Sequence, residues 1–390
     1  SARGWVRLVS LVGFRKAEYV RGLSLVPRAT AALARLGGNA DIESRLERAL
    51  GQIDTSKNKI DDGIAHHEKA VKLRERAFGD SDHYLAIILE GLGIAVLNAG
   101  HAARAVQIQL RAHTILEHLL GPSHPDSAHA LTLLANARTA AGQPAVAERE
   151  IRQALAIEEV TLGAEHDDVG ASLAYLAAAL DAQGKIDEAI DAQRKAIAIG
   201  EGVLGREHPL IGERRVDLAT LLTRRGRYPE ARDQLHRAEA MFTSVLGPDH
   251  ADLLFVSVGY GDLAVHQGRW RDAVAFYQRA MPILDSEQIT RKDLAEAVIN
   301  LERASLELHE PARGLALLER VASRLDEVRP ELRVAVELTL ARALWDARGD
   351  HRRAHALAAH ALAEVQAIGD ARRDDVSQIE RWLTNHRVAD

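Results

Sequence analysis

Histidine is the residue type that offers this chain the most chemistry. The 390-residue sequence has 18 histidines and no cysteine, so a metal site would need imidazole and carboxylate ligands. His351 and His355 have the spacing of two ligands on one helix face, and His360 follows nearby. Arg352 and Arg353 flank them, and two positive charges disfavour a bound cation. The sequence therefore predicts no metal site and no cofactor.

Other histidines are better explained by structure than by catalysis. His66-His67-Glu68 lacks the H-E-x-x-H order and is interpreted as a solvated face. Five more histidines recur at intervals of about forty residues, once in each repeat. Packed helices lie about 8–10 Å apart, whereas the ligands of a zinc ion all lie about 2 Å from the metal. Histidines from successive repeats therefore cannot share an ion. We expect these five to bond backbone groups where helices begin: His83, His124, His166, His208 and His250.

Recognisable catalytic motifs are missing from the sequence. It contains no G-x-x-x-x-G-K-[ST] phosphate loop, no G-x-S-x-G elbow and no strand-linked G-x-G-x-x-G. The kinase motifs H-R-D and D-F-G do not occur either. The sequence therefore predicts no catalytic residue and no enzymatic activity for this chain.

Composition and charge exclude further classes of protein. The net charge is -6 and aromatic residues make up 4%, so there is neither a basic footprint nor many stacking platforms for nucleic acid. The apolar opening from Trp5 to Phe14 is broken by Arg7 and is too short to span a membrane. The lack of cysteine favours a reducing cytoplasm. Because the chain begins at Ser1 without a methionine or a signal-peptide pattern, we expect it to be either a piece of a longer protein or a processed form.

The elements that position these residues follow a period of 42. One glycine series has this exact spacing, and so does a second: Gly79, Gly121, Gly163, Gly205 and Gly247; Gly100, Gly142, Gly184, Gly226 and Gly268. Small residues keep the same phase in three further series: Ala105, Ala147, Ala189, Ala231 and Ala273; Ala70, Ala112, Ala154, Ala196, Ala238 and Ala280; Gly93, Ala135, Ala177, Ala219 and Gly261. Such phase-locked series indicate a repeated structural unit.

Each unit is predicted to be a pair of helices. Apolar residues recur at helical spacing on both sides of Gly184, which supplies the left-handed position that ends the first helix. Ala189 marks a helix crossing, where only a small side chain allows close packing. Pro27 interrupts the second helix of a divergent pair that we expect between Trp5 and Leu36.

This pattern resembles the tetratricopeptide repeat in its 42-residue variety, as found in kinesin light chain and in many bacterial signalling proteins. The matching residues are Leu176-Ala177, Gly184, Ala189, Ala196, Leu204-Gly205 and His208-Pro209. The resemblance implies an all-α fold, a right-handed α-solenoid of stacked helix-turn-helix repeats. It also implies that the first helix of each pair lines a concave groove that binds a protein or peptide.

Four segments are predicted along the chain. Divergent N-terminal helix pairs occupy residues 1–53, the 42-residue array 54–284, degenerate helix pairs 285–373, and a C-terminal capping helix 374–390. The capping helix is expected to bury Val376, Ile379, Trp382 and Leu383. A polar outer face on such a helix would solvate the end of the array.

The groove residues are predicted by counting along each first helix from its shared small position. They are Glu90, Asn98, His129, Thr132, Asn136, Tyr175, Asp181, Asp217, Thr220, Arg224, Asp262 and His266. Kinesin-light-chain-like repeats often carry an Asn pair before the Leu-Ala step, and this chain lacks it, so the ligand stays unidentified. Simple solvation is the alternative explanation for each of these polar residues.

Three functions are compatible with the sequence. The first is a non-catalytic scaffold that binds a protein or peptide partner in the concave groove. The second is a regulatory or sensor arm of a bacterial Ser/Thr protein kinase whose catalytic domain lies upstream, a resemblance carried by the Arg-rich, Lys-poor composition and the repeats. The third, an enzyme in its own right, lacks any recognisable nucleophile and base. Neither nucleic acid nor a membrane is expected as a partner, and self-association is left open.

Overall fold

A computed structural model shows an α-helical chain, with no strand among the residues it describes. These are residues 1–15, 18–57, 59–250, 252–284, 330–347, 349–368 and 373–386, together with scattered positions between 300 and 322. The chain divides into two compact units, Ser1–Arg206 and Glu207–Asp390. Much of the predicted degenerate segment 285–373 lies outside the described residues.

The described residues of the first unit form eleven α-helices and one π-helical segment, Val9–Arg15. The α-helices are α1 (Ala2–Leu8), α2 (Tyr19–Ser24), α3 (Val26–Ala34), α4 (Ala40–Ser56), α5 (Ile60–Phe78), α6 (His83–Asn98), α7 (Ala102–Leu120), α8 (Pro125–Ala140), α9 (Pro144–Thr161), α10 (Asp167–Asp181) and α11 (Ile186–Leu204). From α4 onward they form consecutive hairpins, α4 with α5 through α10 with α11.

The N-terminal segment consists of more and shorter helices than the predicted helix pair. The chain passes from α1 into the π-helical segment, and the second half divides into α2 and α3. The interruption expected at Pro27 is confirmed, because proline lacks a backbone N–H and here lies in the first turn of α3. Gly13 and Gly22 lie so close that a Cβ on Gly22 would sit 2.3 Å from the Cα of Gly13. Only glycine at both positions permits this approach.

Small residues lie at the helix crossings, as their period predicts. Every alanine of the two alanine series is almost fully buried, and Ala135, Ala177 and Ala219 of the mixed series are buried as well. Gly184 has φ of 76° and lies three residues after α10 ends at Asp181, in the left-handed region where a Cβ would strain the backbone. The sequence prediction of close-packed helix pairs is confirmed.

In the first unit the helices form two unequal layers. The first helices of neighbouring hairpins contact one another, α4 with α6, α6 with α8, and α8 with α10. The second helices of neighbouring hairpins make hardly any such contacts. The layer of first helices is therefore the more closely spaced one, which is the inner side of a stack that bends.

The second unit repeats this arrangement and adds a C-terminal part. Its hairpins are α12 (Pro209–Arg224) with α13 (Tyr228–Val245) and α14 (Leu253–His266) with α15 (Trp270–Leu284). The C-terminal part contains α16 (Pro330–Asp346), α17 (His351–Ile368) and α18 (Arg373–Asn385). Ile379 and Trp382 of α18 are buried, and the Trp382 ring meets that of Trp345 edge to face at 5.8 Å.

Membrane insertion finds no support in the described helices. None of them combines the length and the hydropathy that a bilayer span requires.

Candidate functional site

Histidines fix the starts of the inner helices. His124 Nδ1 accepts a hydrogen bond from the backbone N–H of Asp126 at 3.1 Å, and His166 does the same with Asp168 at 3.2 Å. His208 and His250 act in the same way. The predicted structural role is confirmed for these four residues, because each bonds a backbone N–H where a helix begins. For His250 this N–H belongs to Asp252, the residue just before α14.

His83 departs from that series. It precedes His124 by 41 residues instead of 42, so Asp82 takes the capping position and accepts from the Leu85 N–H at 2.8 Å. His83 is the first residue of α6, and its Nε2 lies 3.4 Å from an oxygen of Asp126 in the next repeat. The prediction that His83 caps a helix like the others is wrong.

The predicted solvated face at His66-His67-Glu68 is also wrong for its central residue. His67 is 1% exposed and lies between Gly51 of α4 and Gly91 of α6, where an added Cβ would come within 2.7 Å of the ring on either side. Burial lowers the pKa of His67 to about 4, and the nearby Arg48 charge adds to this effect. The two glycines thus create a slot that keeps this imidazole neutral.

The seven predicted groove residues of the first unit lie on three successive first helices. Glu90 and Asn98 are on α6, His129, Thr132 and Asn136 on α8, and Tyr175 and Asp181 on α10. Asn98 is exposed, and all the others except Thr132 are half-buried. They therefore occupy the closely spaced layer at partly accessible positions.

Thr132 differs from its neighbours because it lies inside the helix layer. It is 1% exposed, and its hydroxyl is 3.0 Å from the Ser172 hydroxyl of α10. A side chain with this burial and this partner cannot reach a ligand in this conformation. The structure therefore gives Thr132 a packing role between α8 and α10.

Glu90 has the most perturbed electrostatics of these residues. Burial raises the pKa of its carboxyl to about 7, against the nearby positive charge of Arg48. Arg48 Nη1 is 3.5 Å from the Tyr84 hydroxyl, and the Arg45 guanidinium stacks on the Tyr84 ring at 4.0 Å. Two arginines and the Tyr84 ring thus lie near the Glu90 carboxyl.

Arg48 is a residue that sequence reasoning missed. It precedes Glu90 by 42 residues, and Gly51 precedes Gly93 by the same interval, so α4 belongs to the repeat register. Extending the small-residue series one step toward the N-terminus would have found it. The predicted boundary between residues 53 and 54 instead falls within α4, which spans Ala40–Ser56.

The predicted groove residues of the second unit lie on α12 and α14. Asp217 and Arg224 on α12 and His266 on α14 are exposed, whereas Thr220 and Asp262 are half-buried. The Asp262 carboxylate accepts hydrogen bonds from the Tyr277 hydroxyl and the Asn300 amide, both at 2.6 Å. This carboxylate therefore helps to hold α14 against α15.

One group of described residues has the composition of a metal site. Glu337 of α16 and His360 and Glu364 of α17 offer ligand atoms within 4.8 Å of one another. This group lies in the C-terminal part of the second unit, away from the predicted groove residues in the sequence.

Comparison with known proteins identifies the repeat. Sequence profiles of the tetratricopeptide repeat match residues 85–126, 126–202 and 203–286. No curated protein sequence matches the chain significantly.

Solved structures provide three informative neighbours. A putative kinesin light chain from Podospora anserina with TPR-like repeats is 26% identical over 50% of this chain and 93% of its own, with a TM-score of 0.43. Yeast Tom70 is 15% identical over 88% of this chain and 64% of its own, with a TM-score of 0.60. A Rap protein complexed with competence and sporulation factor is 11% identical over 94% of this chain and 82% of its own, with a TM-score of 0.57. The last two share the fold.

Proposed function

Because the chain belongs to the tetratricopeptide-repeat family, whose members are generally non-catalytic protein–protein interaction scaffolds, we propose that it binds a peptide or protein segment along its first helices. The ligand would lie on the inner layer of the first unit, across α6, α8 and α10. The observation that carries this proposal is the row of polar, partly accessible side chains on these three helices.

The chemistry of the row fits a peptide backbone. The Asn136 amide and the Tyr175 hydroxyl can each donate and accept a hydrogen bond, as a main chain with alternating N–H and C=O groups requires. Packed helices lie about 8–10 Å apart, and an extended strand rises about 3.3 Å per residue. One inner helix would therefore meet the ligand at about every third residue.

The charges of the row favour a ligand of mixed character. A carboxyl with a pKa near 7, such as that of Glu90, is only partly ionised at neutral pH, and it lies close to the positive Arg48. Asp181 adds a negative charge at the end of α10. A ligand with a basic group close to one acidic group would complement this surface, and a polyanion would not.

The test uses a random peptide library selected on the intact chain, with the affinity of a selected peptide measured by isothermal titration calorimetry. The inner variant combines His129→Ala, Asn136→Ala and Tyr175→Phe. The matched outer variant combines Lys72→Ala, Gln107→Ala and Gln153→Ala, three exposed positions on α5, α7 and α9. We expect the inner variant to lose at least about tenfold in affinity, since anchor residues dominate binding, and the outer variant to match the wild type.

Two results would count against this function. Equal affinity of the inner variant and the wild type would show that the row does not contact the peptide. An equal loss in both variants would point to a general change in the fold. The alternative function as an arm of a bacterial Ser/Thr kinase, and the cytoplasmic location, stay predictions.

A further inference from the structure

The C-terminal part of the second unit brings a glutamate of one helix next to a histidine and a glutamate of another. Glu337 lies on α16, while His360 and Glu364 lie four residues apart on α17 and so share one helix face. Their ligand atoms lie within 4.8 Å of one another. Interhelical packing, not a sequence motif, creates this juxtaposition.

Glu337 and His360 form the core of the group. Glu337 is 5% exposed, and both of its carboxyl oxygens face His360 Nδ1, at 3.0 and 2.9 Å. The buried Glu337 carboxyl thus has one imidazole nitrogen as its partner, and a metal cation between the two groups could bind both.

Glu364 is the third group, and one of its carboxyl oxygens has no hydrogen-bond partner. Its Oε1 is 3.3 Å from Arg333 Nη1, whereas its buried Oε2 has no hydrogen-bond partner. A buried oxygen without a partner loses the free energy that solvation or a hydrogen bond would give it. Arg333 orients the carboxylate from outside the group, as the outer-shell partner of a metal ligand does.

We propose that Glu337, His360 and Glu364 bind a zinc ion. One imidazole nitrogen and two carboxylate oxygens are a donor set that zinc accepts, and three protein ligands leave the fourth position to water. The His360 side chain is 55% exposed, which gives the ion a path from solvent. The proposal departs from the sequence prediction, which considered His360 only with His351 and His355.

Zinc binding needs the ligand atoms to reach tetrahedral spacing. Ligand atoms about 2.0–2.1 Å from a tetrahedral zinc lie about 3.4 Å from one another. His360 Nδ1, which is 2.9 Å from Glu337, would move outward by about 0.5 Å. The exposed end of His360 leaves room for that movement. Ligand atoms that lie as far apart as 4.8 Å would approach one another by about 1.4 Å.

The experiment is a titration of the chelator-treated 390-residue chain with Zn²⁺, followed by calorimetry and by the melting temperature. We expect one saturable site that survives an excess of Mg²⁺, since an imidazole ligand favours zinc. We also expect zinc to raise the melting temperature, because it binds only the folded site. His360→Gln and Glu337→Gln should each weaken binding at least about tenfold.

His355→Gln is the matched control, because it removes a histidine from the same helix outside the group. It should keep the wild-type affinity for zinc. Circular dichroism of each zinc-free variant checks its fold, and Glu364→Gln replaces Glu337→Gln if the latter unfolds. The absence of a saturable site in the wild type would overturn the proposal, as would wild-type affinity in His360→Gln.

Discussion

Arg74 and Glu158 occupy the same position in two repeats and carry opposite charges. They lie 84 residues apart, which is two periods of 42, on the second helices α5 and α9. Arg74 is 6% exposed, and Glu158 is 0% exposed. The intervening repeat has the apolar Leu116 at this position, also buried. The same buried position of the repeat thus holds a cation, an alkyl group and a carboxyl in three different repeats.

The two charged residues differ in their partners. Arg74 Nε and Nη2 donate to Asp82 at 2.6 and 3.0 Å, and Nη1 donates to Asp41. Burial alone would raise the pKa of Asp82, but the hydrogen bonds from Arg74 outweigh it and lower the pKa. Neither oxygen of Glu158 has a hydrogen-bond partner of normal geometry, and burial raises the pKa of its carboxyl to about 7.

The cap of the next helix explains the difference. Asp82 caps α6, and the residue at the same position of α10 is His166. An aspartate cap adds a negative charge where Arg74 needs one, whereas His166 uses its Nδ1 to bond the Asp168 N–H. Where the cap changes to histidine, a buried charge at this position loses its counterion. The fold tolerates Glu158 because a protonated carboxyl needs no counterion.

The largest expected effect is from removing the paired charge. Arg74→Ala leaves Asp41 and Asp82 without their shared counterion, so we expect a loss of about 3–5 kcal/mol in the free energy of unfolding. Urea denaturation at neutral pH measures it. The matched variant Leu116→Met, at the same position in the next repeat, should cost less than about 1.5 kcal/mol. A loss below about 1.5 kcal/mol for Arg74→Ala would show that the ion pairs of Arg74 add little to the stability of the protein.

Glu158→Gln should stabilise the protein at high pH. The folded pKa of about 7 exceeds the ordinary 4.5, so the wild type loses stability as pH rises from 4.5 to 7. Linkage predicts that the variant gains about 3 kcal/mol relative to the wild type over this interval. Urea denaturation at pH 4.5 and pH 8 measures the difference. A constant difference between the two proteins would refute the proposed burial of an unpaired carboxyl.

His67→Gln tests a group whose pKa burial lowers, so the expected dependence of stability on pH is opposite to that of Glu158. Since the folded pKa of His67 is about 4 and its ordinary value 6.5, the wild type keeps its stability above pH 6.5 and loses it toward pH 4. Glutamine is the residue at the same position of the next repeat, Gln109, which also packs against a glycine. We expect the variant to be less sensitive to acid by about 3 kcal/mol. Urea denaturation at pH 7 and pH 4 measures the free energy of unfolding of both proteins. An equal loss of stability in the variant and the wild type would contradict a buried, neutral His67.

The smallest expected change in stability concerns the packing of helices at a crossing. Ala189 is fully buried at a helix crossing, and Ala189→Leu should cost about 1–3 kcal/mol by overpacking. Lys195→Gln on the exposed face of the same helix should change stability by less than about 0.5 kcal/mol. Melting temperatures compare the two, and equal values would argue against the assigned crossing.

Much of the fold follows from the period of the sequence. The glycines and alanines at 42-residue intervals predict the helix pairs and their crossings because backbone turns and close helix contacts admit few residue types. The resemblance to tetratricopeptide repeats is confirmed by the family profiles that match residues 85–126, 126–202 and 203–286. Four loop histidines keep the predicted structural role for the same reason, since helix ends need a bonding partner.

The candidate site was less predictable, because burial depends on neighbours that the period does not specify. Counting from a small residue places Thr132 and Asn136 alike in the groove, yet Ser172 of the adjacent helix covers the first and not the second. Nothing in the letters His66-His67 indicates which ring enters the slot between Gly51 and Gly91. The groove as a peptide site stays a prediction for the library experiment.

The sequence by itself determined the repeated helix pair, because the conformational demands of turns and crossings act on single residues and recur with them. Only the tertiary structure decided which charges are paired. Arg74 with Asp82 and Glu337 with His360 depend on distances between separate helices. Such distances result from the packing of helices within each unit, and the free energy of a buried charge changes steeply with them.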